Sequence, residues 1–265
     1  MELLKHFEEE NTKFVILTLK DEEWNEFVSK LPSEYKNCYI SDKELQSRII
    51  NFSSSKESEL FEILPTIGKI KAGDFGEILA YFLFKERDKK QKVTGPIKWR
   101  WKQEKNVAAP YTDVILFSIA NAKKTSKDDL LISVESKMKS TANNQYHPIQ
   151  NAINGAEKDY VSRIANSLCW LRRKYKDESL KANAPIAKLK ELVEMTERFI
   201  KSETMGEYTK QIKAVVFVDK SFYDDEVNKS ITLPPFVGSS IEIVIVSIKD
   251  LKAAYEKVFR EIPRL

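Results

Sequence analysis

Two apolar segments joined by a polar loop, residues 112–118 and 130–138, most restrict what this chain can fold into. Each has the length and composition of a β-strand, and the pair is typical of an antiparallel hairpin. Asp113 opens the first segment, and Glu135 and Lys137 close the second. Because side chains alternate between faces along a strand, Glu135 and Lys137 should project from one face while the alternate apolar residues occupy the other.

Charged side chains at the end of a buried strand need a partner, because burying a charge is costly unless it is paired or bound to a metal. The chain contains four acid-x-Lys triplets. Only Glu135–Lys137 ends an apolar strand and follows another strand-borne acid, Asp113. That context leaves two interpretations, a structural cluster of ion pairs or a catalytic site.

The catalytic interpretation has a defined chemistry. Two carboxylates on adjacent strands can hold a hard divalent cation such as Mg²⁺ through oxygen ligands. Such a cation polarises a phosphodiester, lowers the pKa of bound water and stabilises charge on the leaving oxygen. Lys137 can orient or deprotonate the water and offset charge in the transition state. In the structural alternative, exposed acid–lysine pairs contribute little stability.

The composition argues against several other classes. Two cysteines without CxxC spacing and only two histidines do not suit a structural zinc site or a disulfide framework. Neither a GxSxG nor a GxxxxGK[ST] pattern is present, so we expect no serine nucleophile and no ATP hydrolysis by this chain. Without a signal-peptide pattern or an apolar run of spanning length, we expect a cytoplasmic protein that contacts no membrane. A net charge of +4 permits an anionic partner without indicating one.

The remaining elements alternate between helices and strands. The sequence predicts an apolar helix over residues 70–87 and an amphipathic helix over residues 149–175. Residues 212–218 and 241–248 are almost continuously apolar, as expected of central strands covered on both sides. The pattern predicts an α/β fold with helices flanking the sheet. The apolar positions of the second helix recur at steps of three and four: Ile149, Ile153, Ala156, Tyr160, Ile164, Leu168 and Leu171.

A soft domain boundary is predicted near residue 68. Residues 53–55 are all serine and form the most linker-like stretch of the chain. A short helix follows and ends at Pro65. Residues 1–68 would then form a small N-terminal α+β subdomain, a candidate for partner contact, and residues 69–265 would form the main domain.

The helix predicted over residues 70–87 carries Glu77 among apolar neighbours. By its residue type, Glu77 is either a solvated edge residue or a functional carboxylate. Gly73 and Gly76 lie near the start of this helix, where each glycine costs about 1 kcal/mol relative to alanine. Close approach of the helix backbone to a sheet or a ligand would explain their presence.

Residues 97–102 alternate strictly between apolar and basic side chains. This alternation predicts a strand whose outer face carries Lys98, Arg100 and Lys102. Such a basic face is either a solvated edge or, beside a catalytic strand, a contact surface for phosphates.

Four stretches together resemble a known family: GEILAYFLF, YTDVILF, VESKMK and DYVSRIANSLCWLRRKY. Their order of helix, strand, strand and long helix is similar to the PD-(D/E)XK restriction-endonuclease-like core. In detail they resemble the HamA family, the nuclease-like subunits of the Hachiman bacterial anti-phage defence system. The likeness covers roughly residues 68–220 and extends more weakly over the N-terminal part. It implies a restriction-endonuclease-like mixed β-sheet flanked by helices.

The family pattern assigns roles to particular residues. It makes Asp113 and Glu135 the acids that bind Mg²⁺ or Mn²⁺, and Lys137 the catalytic lysine. It makes Glu77 the helix-borne carboxylate that completes the site, and the peptide carbonyl of Ser136 a further metal ligand.

One departure from the family pattern concerns the residue before the first acid. The usual proline is absent, since Thr112 precedes Asp113 and Pro110 lies three positions upstream.

Three further residues are predicted to contact the nucleic-acid backbone near the scissile phosphate, although each also fits a solvated polar position: Lys139, Gln150 and Arg163.

The resemblance also implies a partner and a role. HamA-like proteins pair with a HamB-like helicase, which holds the nuclease in check until phage-associated disturbance of DNA releases it. The released effector degrades DNA with little sequence preference. Two alternatives stay open on the residues alone. One is a non-catalytic adaptor that keeps the nuclease fold and binds the helicase or DNA; the other is an RNase or a structure-selective nuclease of the same fold.

Overall fold

The computed structural model describes residues 2–121, 124–181, 184–201, 206–235 and 241–265. Its strands are β1 (Phe7–Asn11), β2 (Val15–Leu19), β3 (Val114–Ser118), β4 (Leu130–Lys139), β5 (Thr209–Asp219) and β6 (Ile241–Ile248). Its α-helices are α1 (Trp24–Tyr39), α2 (Asp42–Phe52), α3 (Lys56–Ile63), α4 (Gly68–Arg87), α5 (Pro148–Lys158), α6 (Ile164–Ser179), α7 (Ile186–Ile200), α8 (Tyr223–Val227) and α9 (Leu251–Glu261).

The strands of the described ranges form one mixed sheet in the order β1-β2-β6-β5-β4-β3. The two outer pairs, β1–β2 and β3–β4, are antiparallel, and the inner neighbours are parallel. Helices α1, α4 and α9 cover one face, and α5, α6 and α7 cover the other. The central strands are accordingly apolar on both sides, which confirms the predicted α/β fold with a mixed sheet flanked by helices.

Strand β4 divides its side chains between the two faces as the alternation predicts. Leu130, Ile132 and Val134 join the core beneath α4, whereas Leu131 joins the core beneath α5. Glu135 therefore emerges on the α5 face, opposite the apolar set. The prediction for this strand is confirmed.

The β3–β4 hairpin fixes where the charged residues lie. Val114 pairs with Val134, so Asp113 stands one residue beyond the last paired position and next to Glu135. Strand β3 is at the edge of the sheet, and β4 is covered on its other side by β5. The hairpin is therefore anchored by β5 on one side, and its other side is the edge of the sheet.

The N-terminal part shares the sheet and the core with the rest of the chain. Strand β2 pairs in parallel with β6, and Leu17 packs in the same core as Phe75. The predicted boundary falls at Gly68, where α4 begins. The division into residues 1–68 and 69–265 stays a prediction. Among the described helices, none has both the length and the apolar character that crossing a membrane would require.

The strand predicted over residues 97–102 is wrong, because Lys98–Trp101 forms a short 3-10 helix. The side chains of Lys98 and Trp99 both reach the carboxylate of Glu77. Adjacent residues of a strand point to opposite faces, so a strand could not deliver both contacts. The tertiary contacts of this segment outweigh its alternation.

The long helix predicted over residues 149–175 is interrupted by a π turn, Asp159–Arg163, between α5 and α6. A π turn adds a residue to the helical repeat and shifts the positions that face the sheet. Tyr160, predicted in the core, is 40% exposed, and Asp159 is fully buried instead. The other predicted core positions of this helix are buried: Ile149, Ile153, Ala156, Ile164, Leu168 and Leu171.

Candidate active site

The residues at the open end of the β3–β4 hairpin, where Asp113 lies next to Glu135, meet around the ammonium group of Lys137. The Nζ atom of Lys137 contacts Oε1 of Glu135 and lies 3.8 Å from Oδ2 of Asp113. It also donates to the carbonyl oxygen of Ser136 at 3.1 Å. Three oxygen atoms, two on β4 and one on the residue before β3, thus converge on a single positive charge.

The backbone of Ser136 holds this arrangement together. Its N–H donates to Oδ2 of Asp113 at 2.9 Å, which fixes the Asp113 carboxylate against β4. Its side chain points to the α4 face, where an added Cβ at Gly76 would lie 3.2 Å from Oγ. The close approach predicted to explain Gly76 is therefore present, whereas an added Cβ at Gly73 would meet nothing within 4 Å.

Glu77 lies on the α4 side of the same pocket, which has a volume of about 590 Å³ and is also lined by Asp113, Ser136 and Lys137. Oε2 of Glu77 is 3.1 Å from Nζ of Lys98 and accepts from the Trp99 indole. It is 8% exposed, so the solvated-edge interpretation is wrong.

Charge coupling within the pocket follows from this burial. Burial raises the pKa of Glu77 to about 8, an effect that Asp113 reinforces and Lys98 opposes. Burial and the neighbouring Asp113 also raise the pKa of Glu135. For Lys137, burial alone would lower the pKa, but the Asp113 and Glu135 carboxylates outweigh it and raise the pKa. Lys137 is therefore a stable cation between two acids.

The carboxylate of Glu135 is also held from the helical side. Its Oε2 accepts from Nη2 of Arg163, which donates to the carbonyl of Gly155 at 2.6 Å as well. The backbone of α5 passes so close that a Cβ at Gly155 would overlap the Glu135 side chain. Glu135 is 2% exposed, which places it behind the pocket wall rather than in the opening.

A buried network under the hairpin positions this arginine, and the sequence pattern did not indicate it. Asp159 accepts from Oγ1 of Thr112 and Oγ of Ser133, both at 3.1 Å. Oδ1 of Asp159 also lies 2.8 Å from Nε of Arg163, an ion pair whose angle does not suit a hydrogen bond. The one available signal was an acid inside an apolar helical stripe, which the straight-helix register placed on the wrong face.

The acids each have a cationic partner, and they do not form a compact carboxylate set. Within the described ranges, only His6, Glu23 and Glu26 place three ligand atoms within 4.8 Å of one another. There, Lys30 contacts Glu26 and lies 3.5 Å from the His6 ring. At the hairpin, the acids are joined by shared cations instead.

The three residues predicted to contact a nucleic-acid backbone have different surroundings. Lys139 is 5% exposed and donates to Glu226 at 2.6 Å. Gln150 is on the surface of α5 and bonds with the backbone of Thr232 at 2.8 and 3.1 Å. Arg163 is engaged by the two acids described above. Their roles toward nucleic acid stay predictions.

The donor set of the hairpin suits a hard divalent cation. Two carboxylates and a peptide carbonyl are the ligands that Mg²⁺ and Mn²⁺ prefer. The ammonium of Lys137 already occupies a position between one oxygen of each, as a cation held by the same atoms would. The chemistry of the residues therefore fits such an ion.

A mixed sheet that carries acid, acid and lysine at one end of a hairpin is the arrangement expected of the PD-(D/E)XK nuclease-like class. The sequence model of the HamA family matches residues 2–262 of the 265, and the chain belongs to the HamA family. Membership of this family supports a role as a component of the Hachiman defence system. No curated protein matches the chain significantly.

Proposed function

We propose that this chain is a metal-dependent DNA nuclease, the effector of a Hachiman complex, restrained by a HamB-like helicase partner. The observation that carries the proposal is the convergence of Asp113, Glu135 and the Ser136 carbonyl on the ammonium of Lys137. Family membership supports the defence role. We infer the low sequence preference, and the release of the nuclease by disturbed phage DNA, from membership of the HamA family.

The residues that would hold Mg²⁺ or Mn²⁺ are Asp113, Glu135 and the carbonyl of Ser136, with Glu77 across the pocket. When bound, the cation supplies Lewis-acid activation of a phosphodiester and of water. Lys137 is 28% exposed on its side chain and lines the pocket, so its ammonium can donate to a phosphate oxygen or orient a water molecule. Lys137 and Arg163 both favour the ionised form of the Glu135 carboxylate, against the burial and the Asp113 charge that raise its pKa.

A second candidate function is a non-catalytic adaptor that binds the helicase or DNA. The observation that favours it is that each acid is already paired with a lysine or an arginine. A closed network of this kind stabilises a fold without doing chemistry. The two candidates differ in whether a divalent cation binds at the hairpin.

The first test is degradation of supercoiled plasmid with Mg²⁺ by the wild type, Glu135→Gln and Lys137→Met. Asp250→Asn and Lys252→Met are the matched controls, because they change another acid-x-Lys triplet at the start of α9. We expect the controls to cut like the wild type and both site variants to lose at least about a hundredfold in rate. Equal degradation by all five proteins would refute the assigned site.

The second test separates an inactive nuclease from an adaptor. A ligand that binds only the folded state at a hundredfold excess over its Kd stabilises it by about 2.7 kcal/mol. We expect Mg²⁺ or Mn²⁺ to raise the Tm of the wild type but not of Asp113→Asn. A wild type whose Tm responds to neither ion, together with absent cleavage, would favour the adaptor.

A further inference from the structure

Two hollows continue the active-site pocket along the surface of α6. Ala108 lines both the pocket and an adjoining hollow of about 320 Å³. Three residues line this hollow and also the next one, of about 450 Å³: Tyr111, Trp170 and Arg173. The two hollows adjoin each other at these three residues, and we call them together the α6 groove; Ala108 joins it to the pocket that Asp113 lines.

Tyr111 stands at the centre of the groove in a strained backbone conformation. Its φ angle is +65°, in the left-handed region that non-glycine residues rarely adopt. Thr112 is tied down on both sides of its peptide, since its N–H donates to Ser167 and its carbonyl accepts from Lys98. These contacts hold the residue next to Tyr111 in place. Strain of this kind persists where the surroundings over-determine it, and it clusters at ligand-binding sites.

The strained backbone presents an aromatic ring to solvent. Tyr111 is 40% exposed, and its ring centroid lies 6.1 Å from that of the buried Trp170. Trp101 packs edge-on against Trp170 at 5.5 Å. Tyr111 is thus a braced ring with one free side, which is the form of a stacking platform.

Cations flank the ring along α6. Arg173 and Lys174 line the groove and have no acidic partner within the part of the chain that the structure describes. Arg172 and Lys176 also line the groove and lie 3.9 and 3.7 Å from Glu197, in weak ion pairs. Among these cations Lys176 lies in the last turn of α6, where it complements the helix dipole. The dipole does not account for the aromatic ring between them and the active site.

We propose that the α6 groove binds single-stranded nucleic acid next to the scissile phosphate. Tyr111 stacks against an unpaired base, and Arg173 and Lys174 contact the neighbouring phosphates. A duplex would offer Tyr111 no free base face, whereas DNA and RNA strands share the chemistry that the groove recognises. The proposal rests on the proposed nuclease function and specifies its substrate as a strand that is single-stranded on one side of the cut.

The experiment measures binding rather than cleavage. Fluorescence anisotropy of the full chain with labelled oligodeoxythymidine, its duplex with oligodeoxyadenosine, and oligouridine is recorded in EDTA, where no metal-dependent cutting occurs. Tyr111→Phe keeps the ring, and Tyr111→Ala removes it at the same strained φ. Circular dichroism confirms that both are folded.

The phosphate contacts have their own variants. Arg173→Ala/Lys174→Ala is compared with Lys13→Ala/Lys20→Ala, which removes the same charge beside β1 and β2 at the opposite edge of the sheet. We expect the α6 double variant to lower the slope of log K against log salt by about 1.4, two phosphate contacts on a single strand. The matched control should keep the wild-type slope.

For the ring, we expect the wild type and Tyr111→Phe to bind the thymidine strand about tenfold more tightly than Tyr111→Ala does. Equal affinity of Tyr111→Ala and wild type, or tighter binding of the duplex than of the strand, would overturn the proposal. Tighter binding of uridine would assign the groove to RNA. If the wild type binds the strand but does not cleave DNA when Mg²⁺ is added, the result would count against the nuclease function and still support strand binding by the groove.

Discussion

The guanidinium of Arg163 joins the carboxylates of Glu135 and Asp159: Nη2 contacts Glu135 Oε2, and Nε lies 2.8 Å from Asp159 Oδ1. Both acids are nearly or fully buried, so this one cation is shared between two carboxyl groups that water barely reaches. Glu135 is therefore shared between a helix-borne arginine and the lysine of its own strand. Any ion that binds at the hairpin must compete with Arg163 for the same carboxylate.

This competition gives the first prediction. Arg163→Gln should destabilise the metal-free protein by about 2 kcal/mol, because it leaves buried carboxylate charge without its cationic partner. Partial exposure of the arginine to solvent keeps this cost from being larger. The same variant should bind Mn²⁺ more tightly than the wild type, since Glu135 is freed. Urea unfolding without metal and the shift of Tm with Mn²⁺ measure the two effects.

The control for that variant is Arg48→Gln. Arg48 makes an exposed pair with Glu44 at 2.9 Å, and its loss should cost less than about 1 kcal/mol. Equal stability of the two variants would show that the Arg163 bridge contributes nothing to the fold.

The second prediction concerns the close approach of α5 to β4. Gly155→Ala should displace the Glu135 side chain, lower the stability by about 1 to 2 kcal/mol and reduce any cleavage. Gly73→Ala is the matched helical control, because its added Cβ would meet nothing within 4 Å. It should stabilise α4 by up to about 1 kcal/mol. Chemical unfolding of both variants checks the opposite signs, and stabilisation by Gly155→Ala would contradict the packing described.

The third prediction is a pH dependence of stability. Burial raises the pKa of Asp159 from an ordinary 3.8 to about 7, with Arg163 opposing the shift. Between these values the folded protein holds a proton that the unfolded chain has lost. This group's contribution to the free energy of unfolding therefore falls as pH rises through that window and is flat above it.

Asp159→Asn removes this titration. Between about pH 5 and about pH 8, we expect the stability of the wild type relative to Asp159→Asn to fall by about 2 to 3 kcal/mol. Urea unfolding of both proteins across this range is the measurement. Parallel pH profiles would show that Asp159 is ionised throughout and fully compensated by Arg163.

The fourth prediction uses the two thiols. Burial raises the pKa of Cys38 to about 12, so almost no thiolate is available near neutral pH, whereas Cys169 is exposed in the α6 groove. A disulfide reagent should label Cys169 quickly and Cys38 only on unfolding. Oligodeoxythymidine should slow the labelling of Cys169 if the groove binds it. An unchanged rate would count against occupancy of the groove.

Much of the site could be predicted from sequence because it follows from strand alternation. The faces of β4, and hence the side on which Glu135 emerges, require only local geometry. The same reasoning was wrong for residues 97–102, where Lys98 and Trp99 turn together toward a buried acid 21 and 22 positions earlier in the chain. Contacts at that separation leave no local pattern.

The role of Asp159 was missed for a related reason. A straight helix places Tyr160 on the core side, and only the π turn rotates Asp159 into the interior. A single inserted residue is invisible to a periodicity of three and four. The hydroxyl groups that donate to Asp159 belong to Thr112, the residue before Asp113, and to Ser133 in β4. No short motif contains all three residues.

The π turn also links two surfaces that are separate in space. Residues before it, such as Gly155, set the room for Glu135, and residues after it set how Trp170 and Arg173 face Tyr111. Because each residue of a regular helix turns by about 100°, the extra residue that the Asp159–Arg163 turn accommodates sets the orientation of α6 relative to α5. The surroundings of Glu135 and those of the Tyr111 ring therefore both depend on this one irregular turn. A change in the length of this turn would therefore alter both surfaces at once.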